Sequence, residues 1–151
     1  MTIRHFLFIP MLWVLALIGK QVHIAWKEVQ KRKVTYLSKL HRREFEWYVA
    51  KRLKEKGRKN IKVGKGTSDN GRDIKAVFDW TTHLIQCKCY KTQSSIGVKT
   101  VRELFGVLMA IEQHGIGVIC ATCNFTKPAK EFARKNGIQL RWRENLLEKI
   151  H

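Results

Sequence analysis

Gln86 and Lys88 lie two apart in Leu84-Ile85-Gln86-Cys87-Lys88-Cys89-Tyr90, a run with the composition of a β-strand. Alternate residues of a strand share a face, roughly 6 to 7 Å apart. The amide and the ammonium therefore project together, while Ile85, Cys87 and Cys89 take the opposite face and suit a core. Upstream, Asp73 stands in Gly71-Arg72-Asp73-Ile74-Lys75-Ala76-Val77-Phe78, a second strand-like run, followed by the polar turn Asp79-Trp80-Thr81. A hairpin closed by a two- or four-residue loop centred on Asp79 and Trp80 sets Asp73 opposite Gln86. A three- or five-residue loop shifts the register by one and separates them.

A carboxylate, an amide oxygen and an ammonium at one end of a hairpin suit a divalent cation of the magnesium kind, which prefers oxygen ligands. Asp73 would be the charged ligand, Gln86 a neutral one, and the backbone carbonyl of Cys87 a third. Lys88 would then lie beside the reacting water, placed to position it, assist its deprotonation, or stabilise charge in a phosphoryl transition state. The Asp73 carboxylate contributes nothing to core packing in this reading, so its loss would leave the fold intact. Taken alone, Q-x-K also describes an ordinary half-exposed strand, and its weight rests on its surroundings.

Those surroundings read as one domain beginning near His41. Phe45, Tyr48, Val49 and Leu53 recur at helical spacing and Gly57 is a terminator, which gives a helix over 42–56. Glu46 falls at the edge of its apolar face, where a carboxylate is costly without a cation to meet; Glu44 is the more solvated alternative. A short strand follows at Ile61–Val63, then a turn-rich loop over 64–71 whose glycines match neither a P-loop nor a dinucleotide fingerprint. Beyond the Gln86 strand come a polar loop over 91–97 and a helix over about 98–113. Next are an apolar strand Ile116–Ala121, a helix from Thr126 to about Lys135, a strand Ile138–Trp142 and a short C-terminal helix. The order α-β-β-β-α-β-α-β-α specifies an α/β domain with a mixed sheet flanked by helices.

The chain has 151 residues, enough for one domain with a real core. Its 30 Lys and Arg against 12 Asp and Glu leave a net charge of +18, which points to a polyanionic partner, nucleic acid or an anionic membrane surface. Cys87, Cys89, Cys120 and Cys123 fall in apolar strand-like runs rather than on turns, against a zinc site and against a disulfide framework, and a reducing compartment follows. The six histidines are scattered and read as structural or surface residues.

Ahead of the domain, Phe6–Ile18 is an uninterrupted apolar run, shorter than the roughly 20 residues of a spanning helix. Extension through Val22, Ile24, Ala25 and Trp26 gives an expected uncleaved membrane anchor over 1–26, with a secretory signal peptide and a buried helix as rivals. From Lys20 to Arg43 there are eight Lys or Arg against a single Glu28, so residues 27–40 read as a basic stalk. That bias directs the remainder, 41–151, to the cytoplasmic side of the inner membrane as a single-pass protein.

Five short motifs then occur in series: Phe45-Glu46; Ser68-Asp69-Asn70-Gly71-Arg72-Asp73-Ile74; Gln86-Cys87-Lys88-Cys89-Tyr90; Val101-Arg102-Glu103-Leu104-Phe105-Gly106; and Thr122-x-x-Phe125-Thr126-x-x-Ala129. Over about residues 41–150 this series resembles the Mrr-type restriction endonuclease domain of the PD-(D/E)xK nuclease superfamily. The resemblance implies a restriction-endonuclease-like fold and Mg²⁺- or Mn²⁺-dependent hydrolysis of DNA phosphodiesters. Asp73, Gln86 and Lys88 match the family's D…QxK triad, and Glu46 matches its acidic helix position. Gln86 stands where most of the wider superfamily has a carboxylate, as it does in Mrr-like sequences, and removes one negative charge from the site. DNA is the implied partner, with a homodimer left open. A catalytically weak module that tethers DNA at the membrane is the alternative.

Overall fold

In the computed structural model of the chain, residues 8–64, 72–91 and 93–142 are described, with side chains from residue 12 onward. The chain forms two compact units, one up to Lys33 and one from Val34.

The first unit is the greater part of helix α1 (Phe8–Leu37). Its apolar residues Leu12, Trp13, Leu15, Ile18 and Val22 are exposed. The helix continues without interruption past Lys20 into Lys27, Lys31, Arg32 and Lys33. Among the described residues, no helix is long and apolar enough to cross a membrane. The expected anchor over 1–26 and the inner-membrane placement built on it are therefore corrected: Lys20, Gln21 and His23 interrupt the apolar run well short of a span.

The second unit is built on a five-stranded sheet in the order β1 (Lys59–Val63), β2 (Ile74–Phe78), β3 (Thr81–Lys88), β5 (Ile116–Ala121), β7 (Gln139–Trp142). The first two pairings are antiparallel and the last two parallel, which makes the sheet mixed as the element order requires. A pair of two-residue strands, β4 (Ser95–Ile96) and β6 (Asn124–Phe125), forms a separate parallel ladder; β4 lies in the segment 91–97 read from sequence as loop.

Alternation along the strands divides the interior into two cores. Ile74, Ala76, Ile85, Cys87, Val118 and Cys120 face helix α2 (Arg42–Glu55), which contributes Phe45, Val49, Ala50 and Leu53, and the last turn of α1 adds Leu37. Leu84, Ile119 and Ala121 face the other way, onto α3 (Val98–Ile111) and α4 (Lys127–Lys135) through Val101, Leu104, Leu108, Ala129 and Ala133. Close packing on this second face leaves no room at Gly117, where a Cβ would come within 2.6 Å of Ile138 Cδ1. The expected C-terminal helix lies outside the described residues.

Local chemistry fixes the ends of the elements that carry the site. Helix α2 opens with a capping box: Arg43 N–H donates to the His41 ring and His41 N–H to the Glu44 carboxylate. This role accounts for the exposure of Glu44. Gly57, at φ 78°, ends the helix in the left-handed conformation that glycine adopts without strain. The β2–β3 hairpin closes through Asp79 (φ 46°) and Trp80 (φ 61°), a two-residue turn with both residues left-handed, whose twist matches that of the flanking strands.

Candidate active site

The two-residue turn fixes the register expected from sequence: Ile74 pairs with Ile85, Lys75 with Leu84, and so on to Phe78 with Thr81. The ladder stops one residue short of Asp73. Asp73 N–H donates to Ile85 O (3.0 Å) instead of exchanging bonds with Gln86, and Asp73 O accepts from Gly64 N–H (2.8 Å). The expected Asp73–Gln86 backbone pairing is thus replaced by a side-chain contact: Asp73 Oδ2 accepts the Cys87 backbone N–H at 2.6 Å. In an extended strand the N–H and C=O of one residue point to the same side. The Cys87 carbonyl is accordingly turned toward the side where β2 has ended and Asp73 stands.

Asp73, Gln86 and Glu46 are all buried, at 6%, 4% and 4% exposure. Glu46 reaches the site from α2, where its spacing from Val49 and Leu53 places it against the domain. Its charge is met on its own helix, by Arg42 Nε on Oε1 (3.1 Å) and Arg43 Nη1 on Oε2 (3.1 Å). Arg42 also crosses to the sheet, where its Nη2 donates to Asp73 Oδ1 at 2.9 Å. Hydrogen bonding to Asp73, and then the charge of that carboxylate, raise the Arg42 guanidinium above its ordinary pKa. Arg43 Nη1 additionally donates to Gly64 O, which ties α2 to the end of β1.

Gln86 shares strand parity with Leu84, whose side chain belongs to the α3–α4 core, and its Oε1 is buried with no hydrogen-bond partner among the described residues. Such an oxygen costs free energy until something donates to it or coordinates it. Lys88, half-buried, closes β3. Its carbonyl accepts from Thr122 N–H (3.1 Å), and its ammonium forms no ion pair among the described residues. Just beyond, the Thr122 hydroxyl donates to Tyr90 O (2.6 Å) and accepts from Tyr90 N–H (2.9 Å), clamping the ends of β3 and β5 together. An open cleft of about 280 Å³ runs along the β1–β2 side, lined by Lys62, Val63, Gly64, Arg72, Asp73, Ile74 and Lys75.

The structure therefore joins Asp73 to the Cys87 backbone directly and to Glu46 through Arg42, with Gln86 and Lys88 flanking Cys87 on β3. Arg42 and Arg43 escaped the sequence reading. Their signal was present as cations three and four residues before Glu46 on one helix face. Of the nearby thiols, Cys87 is buried, its pKa driven well up by desolvation, and Cys89 Sγ lies against the Leu37 and Leu40 carbonyls. Among the described residues no three His, Cys, Asp or Glu side chains cluster as a metal site, so any cation here relies on amide and backbone oxygens as well as carboxylate.

The Mrr catalytic domain, described as a restriction endonuclease, matches residues 37–150. The chain belongs to this restriction endonuclease family. The fold agrees with that of solved members of the class. AspBHI, a DNA modification-dependent restriction endonuclease, superposes with a TM-score of 0.60 at 15% identity, over 80% of this chain and 34% of its own. MspJI restriction endonuclease, solved with a 27-mer oligonucleotide, gives 0.56 at 18% identity, over 80% and 30%. A protein of unknown function, AF1548, gives 0.56 at 25% identity, over 64% and 55%. The chain thus spans about half of one of these proteins and a third of the other two. None of the curated proteins matches it.

Proposed function

We propose that this restriction endonuclease domain is a divalent-metal-dependent DNA endonuclease of the PD-(D/E)xK type, with Asp73, Gln86, Lys88 and Glu46 as its site. The observation that carries the reading is the buried Gln86 Oε1, without a partner among the described residues and next in sequence to the Cys87 amide that holds Asp73. The donors that Gln86, Asp73 and the Cys87 carbonyl would offer are all oxygens, which suits Mg²⁺ or Mn²⁺ better than zinc. When bound, the cation supplies Lewis acidity and neutralises charge on the phosphoryl group.

The chain's own residues do the rest. Cys87 N–H fixes the orientation of the Asp73 carboxylate, and the hairpin register holds Gln86 and Lys88 on one face. Lys88, with no carboxylate partner among the described residues, directs its ammonium at the phosphoryl oxygens and the attacking water. A water oxygen bonds to phosphorus, the bond from phosphorus to the leaving sugar oxygen breaks, the water's proton departs to solvent or through Lys88, and the leaving oxygen takes up a proton from solvent. The +18 charge supplies affinity for the phosphate backbone, with log K falling about 0.9 per phosphate contact per unit of log salt. That MspJI was solved with an oligonucleotide supports DNA as the substrate class.

The test is incubation of the protein with supercoiled plasmid and Mg²⁺ or Mn²⁺, beside Lys88→Ala and a chelator control, read on a gel. Nicked and linear products are expected only from the parent protein with metal. Equal cleavage by Lys88→Ala, or cleavage insensitive to chelation, would overturn the assignment. Tight, salt-dependent binding without any cleavage would indicate the binding-module alternative.

A further inference from the structure

We propose that Arg42 is a positioning residue that competes with the divalent cation for Asp73: it holds the carboxylate in the metal-free protein and is displaced when the cation binds. This inference rests on the reading of Asp73 as a metal ligand and adds to it.

The Asp73 carboxylate has two oxygens, and Oδ2 is committed to the Cys87 backbone N–H at 2.6 Å, an amide that the sheet holds in place. Oδ1 is the oxygen not held by the backbone, and Arg42 Nη2 sits on it at 2.9 Å. A magnesium-sized ion binds a carboxylate oxygen at about 2.0 to 2.1 Å. A dication at that distance and a guanidinium on the same oxygen repel one another strongly in a partly buried site. The two arrangements are therefore alternatives.

The surroundings make the exchange feasible. Asp73 and Glu46 are buried carboxylates that share this one guanidinium, Nη2 to the first and Nε to the second. Such a pair without a cation would be costly, and Arg42 covers that cost in the metal-free state. Its side chain is nevertheless 60% exposed, on the first residue of α2, so it can swing away without opening the core. Glu46 is not abandoned when this happens, because Arg43 Nη1 holds its other oxygen. The displaced guanidinium stays beside the reacting centre, where its planar fork suits a phosphate of the bound strand.

The experiment is calorimetric titration of the DNA-free protein with Mn²⁺, for the parent, Arg42→Gln, Arg42→Lys and Asp73→Asn, with thermal melts of each. Arg42→Gln is expected to bind Mn²⁺ about fivefold more tightly than the parent, the size expected for losing a solvent-exposed partner of Asp73. Its melting temperature should be lower than the parent's without metal, with the gap closing at saturating Mn²⁺. Arg42→Lys, which keeps the charge but loses the fork, should fall between, and carries the test should the glutamine variant fold poorly. Unchanged or weaker Mn²⁺ binding in both Arg42 variants, with binding lost in Asp73→Asn, would sink the role of Arg42 and leave the metal site standing. Equal binding by the parent and Asp73→Asn would instead remove the metal reading at Asp73, and this proposal with it.

Discussion

The carboxylate of Asp73 closes the sheet against the backbone of Cys87, fourteen residues later, through a 2.6 Å bond from the Cys87 N–H to Oδ2. The residue proposed as the charged metal ligand is thus also the last rung of the hairpin. The expectation that its carboxylate is structurally idle does not survive this contact. Asp73→Ala should cost about 1 to 3 kcal/mol, because it leaves a buried N–H without an acceptor. Asp73→Asn keeps an oxygen for that N–H and should melt closer to the parent while losing metal binding and cleavage. Melts and Mn²⁺ titrations of the two variants in parallel check both halves.

Gln86 should show the opposite balance. Its Oε1 is buried and has no partner among the described residues, so Gln86→Leu removes an unsatisfied polar atom in exchange for apolar volume. The variant should be as stable as the parent or more so, by about 1 kcal/mol, and inactive. Gln86→Glu should tighten Mg²⁺ binding, since a carboxylate attracts the ion more strongly than an amide. If both variants left metal affinity and cleavage at parental values, Gln86 would be an ordinary strand residue.

At the far end of the hairpin, the Arg58 guanidinium carbon lies 3.3 Å from the centre of the Phe78 ring, and His83 meets the same ring edge-on with centroids 6.4 Å apart. His83 is buried, and desolvation, followed by the charge of Arg58, lowers its pKa below the ordinary 6.5. The unfolded chain therefore takes up a proton near pH 6.5 that the folded chain still refuses. Stability unaffected by this group above pH 6.5 should decline as pH falls below it, until the folded-state pKa is passed. Urea denaturation between pH 7.5 and 5 should show the decline in the parent and lose this component in His83→Gln.

Trp80 is 99% exposed and sits at φ 61°, a conformation that favours glycine. With no packing to lose, Trp80→Gly produces Asp-Gly, a sequence well suited to this turn. Release of left-handed strain, partly offset by the greater freedom of glycine in the unfolded chain, should stabilise the domain by about 0.5 to 1 kcal/mol. A rise in the denaturation midpoint without a change in slope is the expected observation.

What the sequence made legible follows from short-range rules. Period-2 alternation in Leu84–Cys89 assigned Ile85 and Cys87 to a core. A two- or four-residue loop on Asp79 and Trp80 set Asp73 opposite Gln86, and helical spacing put Glu46 at the edge of an apolar face, where a carboxylate is costly without a cation. What it left hidden is set by distance along the chain or by brevity. Arg42 and Asp73 are thirty-one residues apart, and their pairing depends on how α2 lies against the sheet. The strands β4 and β6 have two residues each, too few for any periodicity, and alternation cannot show that a ladder ends at Ile74 rather than Asp73. The apolar N-terminal run suggested an anchor because hydropathy registers composition along a segment, whereas α1 runs on as a single helix through Lys20 into a basic stretch.

Cys87 and Cys120 face each other across the parallel strands β3 and β5, both fully enclosed. Desolvation pushes the Cys120 thiol up to about 12 and that of Cys87 well above its usual value. The thiolate is the form that attacks an alkylating reagent, so neither sulfur reacts appreciably while the sheet is closed. The rate at which iodoacetamide marks these two positions consequently times the opening of the central strands, and the protein carries a chemical clock for its own unfolding one residue from Gln86 and Lys88.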